Sequence, residues 1–217
     1  PQNAAEDNIQ KDNGTTPASY FHDLTRQIHR NFRKPLIVFT PKSTLRHPNN
    51  VSSINEFTGR SSFHRIIEDD IKDPKRVIFC SGKIFYELDD FRTKNKIKDV
   101  KIVRIEQVYP FPFDTLGEVI IKHKDSEILW VQEEPKNMGA WSFVKSRMRR
   151  ILTKNNLSKK IHYVGRRPAA APATGISKRH NTNQQLIKEL ALKSSLKRVI
   201  KERSGVSFMK FKNLPKE

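Results

Sequence analysis

The sequence predicts an α/β fold, an open and mostly parallel sheet with helices on both faces, followed by a basic helical tail. Two observations carry that expectation. Short apolar runs of strand length alternate with segments whose apolar residues recur at helical spacing. The runs are apolar at consecutive positions, the pattern of strands that are covered on both sides. At 217 residues the chain is long enough to bury one sizeable core.

Taken in order, PQNAAEDNIQKDNG (1–14) is polar and irregular and predicts an arm. Thr15 and Thr16 then precede Pro17 at a first helical position, and Phe21, Leu24 and Ile28 follow at helical spacing, predicting an amphipathic helix. PLIVFT (35–40) reads as a short apolar strand, and the stretch after it as a surface excursion. RVIFCS (76–81) is a second strand, and Gly82 turns the chain into a helix with Ile84, Leu88 and Phe91 on one face. VKIVRIE (100–106) is a third strand, and DTLGEVIIKH (114–123) a helix with a stripe of Leu116, Val119 and Ile120. EILWVQ (127–132) is a fourth strand. The helix over 141–153 turns Val144, Met148, Ile151 and Leu152 inward and Lys145, Arg147, Arg149 and Arg150 away from that stripe. KIHYVG (160–165) is a fifth strand, and NTNQQLIKELALK opens on an Asn/Thr capping signal and predicts the last packing helix. A short basic helix follows, with Leu196, Val199 and Ile200 on one face. The expected organisation is an arm over 1–14, one α/β domain over 15–192 and a basic extension over 193–217.

Charge is the most uneven property of the chain. Of the net +19, residues 143–217 hold twenty Lys and Arg against three Asp and Glu, a net +17, leaving +2 for residues 1–142. Such density fits a phosphate backbone or an acidic surface, the alternative being a solvated lysine-rich face. The residues expected to meet RNA or another polyanion are Lys145, Arg147, Arg149, Arg150, Lys154, Lys159, Lys160, Lys197, Arg198, Lys201 and Arg203. No apolar run approaches the ~18 residues of a membrane span, so a membrane partner is not expected.

Motifs for chemistry are mostly missing. Neither GxxxxGK[ST] nor GxGxxG occurs, and the seven histidines are dispersed without metal-ligand spacing, so neither a catalytic set nor a metal site is predicted. Cys80 lies inside an apolar strand and reads as a packed core thiol. Glu133 and Glu134 end a strand where open parallel sheets place ligand crevices. Adjacent strand residues point to opposite sides, so at least one of them is expected simply to pair with a cation. Arg166 or Arg167, in the loop GRRPAAAPATG stiffened by Pro168 and Pro172, is expected to bind one of these carboxylates.

Five blocks in fixed order over about residues 5–190 resemble the C-terminal part of 2-oxoglutarate dehydrogenase, the thiamine-dependent first component of its complex. They are TTPASYFHDLTRQIHRNFRKPLIVFTPKSTLRHP (15–48), FCSGKIFYEL (79–88), VRIEQVYPFPFD (103–114), WVQEEPKNMGAW (130–141) and HYVGRRPAAAPATG (162–175). The resemblance implies a transketolase-like C-terminal domain and a mitochondrial matrix or bacterial setting. In that family thiamine diphosphate and Mg²⁺ are held through a GDG-type motif in an earlier domain, and the catalytic histidines also precede this region. None of those motifs occurs here, so no cofactor is expected in this chain alone.

Two functional readings follow. In the first, the chain is a non-catalytic remnant of the dehydrogenase serving as a basic component of a mitochondrial ribonucleoprotein such as the mitoribosome, with rRNA and neighbouring proteins as partners. In the second it is the C-terminal portion of a working dehydrogenase, partnered by the rest of that enzyme and its homodimer mate, with thiamine diphosphate and Mg²⁺ as cofactors. The charge asymmetry favours the first.

Overall fold

The structure is a computed structural model and describes residues 3–202 and Gly205. Its strands are β1 (Gln10–Asp12), β2 (Leu36–Val38), β3 (Ile66–Glu68), β4 (Arg76–Cys80), β5 (Val100–Ile105), β6 (Gln107–Tyr109), β7 (Glu127–Pro135) and β8 (Ile161–Arg166). The helices are α1 (Pro17–His29), α2 (Ile84–Lys94), α3 (Phe113–Lys122), α4 (Trp141–Lys154), α5 (Ser177–Leu192) and α6 (Leu196–Lys201). The main sheet has the order β3-β5-β4-β7-β8, parallel throughout except for β3, which runs antiparallel to β5. A second sheet, β2-β1-β6, joins the two ends of the N-terminal half.

Strand alternation divides the core in two. Val77, Phe79, Ile128 and Trp130 point to one face and pack with Leu116, Val119 and Ile120 of α3 and Val144, Met148 and Ile151 of α4. Ile78, Cys80, Leu129 and Val131 point to the other and pack with Ile84 and Leu88 of α2, Ile187 and Leu190 of α5 and Val199 of α6. Each such fully buried aliphatic side chain contributes about 1.5–3 kcal/mol. The predicted sheet with helices on both faces is therefore what folds. Cys80 is fully buried, and burial pushes its thiol up to about 12, so it is packing and not a nucleophile.

The N-terminal region departs from the expectations. Gln10–Asp12, assigned to an irregular arm, form a strand between β2 and β6, with Asp12 fully buried. Helix α1 starts as predicted, Thr16 Oγ1 accepting from the Ser19 amide at 3.0 Å with Pro17 in the first turn. Its orientation is inverted, however. Ala18, Ser19, His22 and Asp23 face inward, whereas Phe21, Leu24 and Ile28 are exposed, Ile28 at 72%. Strand β2, read from PLIVFT, lies at a sheet edge with Ile37 exposed.

The amino-terminal edge of the main sheet is locked by Arg76. Its Nε and Nη2 donate to the Glu127 carboxylate at 2.7 and 2.5 Å, Nη1 to the Ala191 carbonyl at 2.8 Å and Nη2 also to the Ser194 carbonyl at 2.9 Å. One buried guanidinium thus joins β4, β7 and the end of α5, where the helix dipole also favours a cation. Arg76→Met should cost about 2–4 kcal/mol in urea unfolding, because it strands two buried carbonyls and a carboxylate. The exposed Lys197→Met should stay within about 0.5 kcal/mol. Equal effects of the two would refute this role for Arg76.

Candidate functional site

The order of strands reverses at β4. The chain leaves β4 for β5 on one side and later returns to β7 on the other, and in open α/β sheets the crevice beyond the carboxyl ends at such a point is where ligands bind. Here a cavity of about 250 Å³ lies at that place, lined by Lys11, Asn13, Phe39, Ser81, Val108, Trp130, Gln132, Glu134, Gly139 and Ala140.

Gln132 shapes it. Its Oε1 accepts from the Trp130 indole at 2.9 Å and from the Trp141 amide at 3.0 Å. Its Nε2 donates to the carbonyls of Met138 at 2.9 Å and Pro135 at 3.1 Å. A single buried amide thereby folds the 133–140 loop back against the strand end and starts α4. Gly139, at φ +65°, closes the loop, and a Cβ there would lie 3.0 Å from Gln132 Nε2.

The two glutamates have different environments. Glu133 pairs with Lys83 at 2.8 Å and accepts from Gln184 at 3.2 Å, tying the start of α2 and the middle of α5 to the end of β7. Glu134 is exposed as a residue, yet the protein around its carboxyl raises its pKa, with the Glu133 charge adding to the rise. The expected cation partner thus exists for Glu133, but it is Lys83. Arg166 instead donates from Nε to the Glu133 carbonyl at 2.7 Å and from Nη2 to the Pro172 carbonyl, and Arg167 reaches the Gly205 carbonyl at 3.1 Å. The arginines serve backbone acceptors because the Glu133 carboxylate is already engaged.

Two buried carboxyl sites escaped the sequence reading. Glu106, fully buried after β5, accepts from the Thr15 amide at 2.7 Å and its hydroxyl at 2.6 Å, while Arg104 donates to the same hydroxyl at 2.9 Å. Burial raises the Glu106 pKa, opposed by Arg104. Asp12 and Asp23 both receive Arg26 Nη2, at 2.7 and 2.6 Å. Burial, then the charge and hydrogen bond of Asp23, push Asp12 up to about 8 against the pull of Arg26 and Arg30. Only Glu106 had a signal, as an acid ending the apolar run VKIVRIE; Asp12 lies in a polar stretch that gives none.

The predicted polyanion residues do not form one surface. Lys145, Arg149, Lys159 and Lys160 line a common groove beside α4. Arg150 and Lys154 line another between α3 and α4. Several are engaged internally: Arg147 stacks on Phe143 at 3.3 Å, Arg150 on Phe113 at 5.5 Å, and Lys159 donates to the Ser126 carbonyl at 2.7 Å. Lys197, Arg198 and Lys201 sit on α6, which packs on the opposite face of the sheet from α4. The continuous cationic surface expected from docking these two helices side by side is therefore not formed. Arg203 lies outside the described residues. Among the described residues no three His, Cys, Asp or Glu side chains converge in a set that could hold a metal ion.

With this geometry in place, comparison with known proteins is specific. A family model described as 2-oxoglutarate dehydrogenase C-terminal matches residues 51–203. The 2-oxoglutarate dehydrogenase E1 component of Brucella anthropi is 48% identical over 193 residues, covering 82% of this chain and 19% of that protein. The E1 components of Brucella ovis and Brucella canis are 47% identical over 193 residues with the same coverage. The chain thus spans 19% of the length of the curated relatives it matches. These matches overturn the expected ribonucleoprotein scaffold. They are to a dehydrogenase component, and none points to rRNA or a mitoribosome.

Two outcomes test this geometry. Asp12 keeps its proton in the fold up to about pH 8 but loses it in the unfolded chain above its ordinary value of 3.8. The unfolded state therefore binds fewer protons in between, and stability should fall as pH rises from about 4 to 8. Asp12→Asn should flatten that fall in urea titrations at pH 5 and pH 8; an unchanged slope would count against the buried pair. Gly139→Ala should destabilise by more than about 1 kcal/mol, since a side chain at positive φ would also press on Gln132. A neutral result would show that the loop relaxes.

Proposed function

The chain belongs to the 2-oxoglutarate dehydrogenase C-terminal family, and from that premise we propose that it is the C-terminal part of a working 2-oxoglutarate dehydrogenase, which decarboxylates 2-oxoglutarate oxidatively with thiamine diphosphate and Mg²⁺. One observation supports it beyond the family match. Helix α1 turns Phe21, Leu24 and Ile28 outward, and Tyr20, Phe32 and Phe39 add further exposed apolar area in the same N-terminal region. A concentration of large apolar side chains on one region of a soluble domain marks a surface that another part covers. The proposed cover is the remainder of the dehydrogenase chain, with the homodimer mate as a further partner.

The residues present do not fit the cofactor. The missing GDG-type motif supports the reading that the diphosphate and its metal are held in a portion of the enzyme outside this chain. In this reading the domain's part is to present a rigid α/β face to the catalytic portion. The cations of the α4 groove, Lys145, Arg149, Lys159 and Lys160, are proposed as a contact for an acidic protein segment of the complex.

The test uses the full-length protein and the chain of residues 1–217. Ile28→Lys should leave the short chain within about 0.5 kcal/mol of its parent, because the side chain is already in water. In the full-length enzyme the same change buries a charge, and should cut thiamine-dependent turnover at least about tenfold or block assembly. The short chain given thiamine diphosphate, Mg²⁺ and 2-oxoglutarate should show no decarboxylation. Wild-type turnover and assembly in full-length Ile28→Lys would remove the proposed interface.

A further inference from the structure

Lys11 is a cation that the fold leaves unmatched. It stands in the middle of β1 at 8% exposure, lines the crevice cavity, and its side chain has, among the described residues, neither a hydrogen bond nor an ion pair. Lysines this buried are ordinarily paired, whereas the Lys11 ammonium keeps its contact with water and meets no protein acceptor. Its neighbour Asp12 points the other way, to Arg26, as strand alternation requires, so it cannot serve Lys11.

The rest of the cavity is equally specific about what could fill it. Glu134 also lines the cavity, and among the described residues no ion pair joins it to Lys11. Ser81 donates its hydroxyl proton to the Ile105 carbonyl at 2.9 Å, which leaves its oxygen lone pairs to accept. Gln132 is saturated by the bonds that hold the loop. Phe39, Val108 and Trp130 supply apolar walls. The site therefore holds one positive charge, acceptors set apart from it, and a volume of about 250 Å³, below the range of drug-sized pockets.

We propose that this cavity at the carboxyl ends of β4 and β7 binds a small carboxylate that also carries an amino group, its carboxylate on Lys11 Nζ and its amino group on Glu134 and Ser81. Either group alone would leave the other end of the cavity unsatisfied, so recognition needs both. The site is built from residues of this chain and does not depend on the dehydrogenase reading.

L-serine is the probe, with propionate, which lacks the amine, and ethanolamine, which lacks the carboxylate, as its controls. Calorimetric titration of the full-length protein should show L-serine binding and at least tenfold weaker binding of both controls. Lys11→Met should raise the L-serine Kd at least tenfold with no loss of fold by near-ultraviolet circular dichroism, since it removes the charge and keeps most of the bulk. Glu134→Gln, on the cavity rim, should weaken L-serine with no loss of fold by near-ultraviolet circular dichroism. Absent L-serine binding at millimolar concentration, equal binding of either control, or L-serine binding unchanged in both variants would each overturn the proposal. The readout is binding, so these results leave the question of turnover untouched.

Discussion

The crevice depends on the side chain of Gln132. The pairing of β7 with β8 shifts register between Val131 and Pro135, and the loop to α4 brings Met138 and Trp141 back to that irregularity. The amide does this from inside, with Trp130 and Trp141 held on its oxygen and Pro135 and Met138 on its nitrogen. In a low-dielectric interior such a saturated network is stiff, and losing one member leaves several groups bare. Glycines mark where the backbone is crowded around it. At Gly165 in β8 a Cβ would sit 2.8 Å from the Gln132 carbonyl oxygen, so the neighbouring strand can pass only without a side chain.

The sheet is accordingly polar in two different senses at its two ends. At the amino-terminal edge Arg76 meets a carboxylate and two carbonyls in a closed arrangement that joins elements far apart in sequence. At the carboxyl edge the polar groups are less completely matched: Lys11 is unpaired and Glu134 is held above its ordinary pKa. Incomplete matching is costly to the isolated fold, and it is also what a site for something else requires. The architecture places that incompleteness at the strand-order reversal, where the loops after β4 and β7 diverge.

How much was legible follows from what periodicity can encode. The central strands were read correctly because Val77 to Cys80 and Ile128 to Val131 are apolar at successive positions, which only two-sided burial explains. The stripe Phe21, Leu24, Ile28 was equally visible, but a stripe states only that something covers it. Inside the fold, α1 is held by polar contacts, with His22 Nε2 2.6 Å from the Glu56 carbonyl and Arg26 bridging Asp12 and Asp23. Strand β1 was illegible because Gln10, Lys11 and Asp12 resemble solvent-exposed chain, and their burial arises from long-range pairing with β2 and β6. Of the site, Glu133 and Glu134 were placed at the right strand end. The pairing of Glu133 with Lys83 instead of an arginine from the later loop depended on how α2 enters the fold.

The basic C-terminal third shows why charge counted along a chain is weak evidence of a partner. A net +17 over residues 143–217 implies a polyanion only if the cations share a face and are free to release counterions. Neither condition holds throughout. The sheet stands between the cations of α4 and those of α6, and on α4 the guanidinium of Arg147 lies against Phe143, where its role is to cover an aromatic ring while keeping contact with water. Arg166 and Arg167 are likewise engaged with carbonyls of the loops they close. What remains is a set of separate basic patches on an enzyme-family domain. Such patches can steer an acidic neighbour into place, but the identity of the chain rests on its packed blocks, since those residues had to satisfy one another before any surface charge could act.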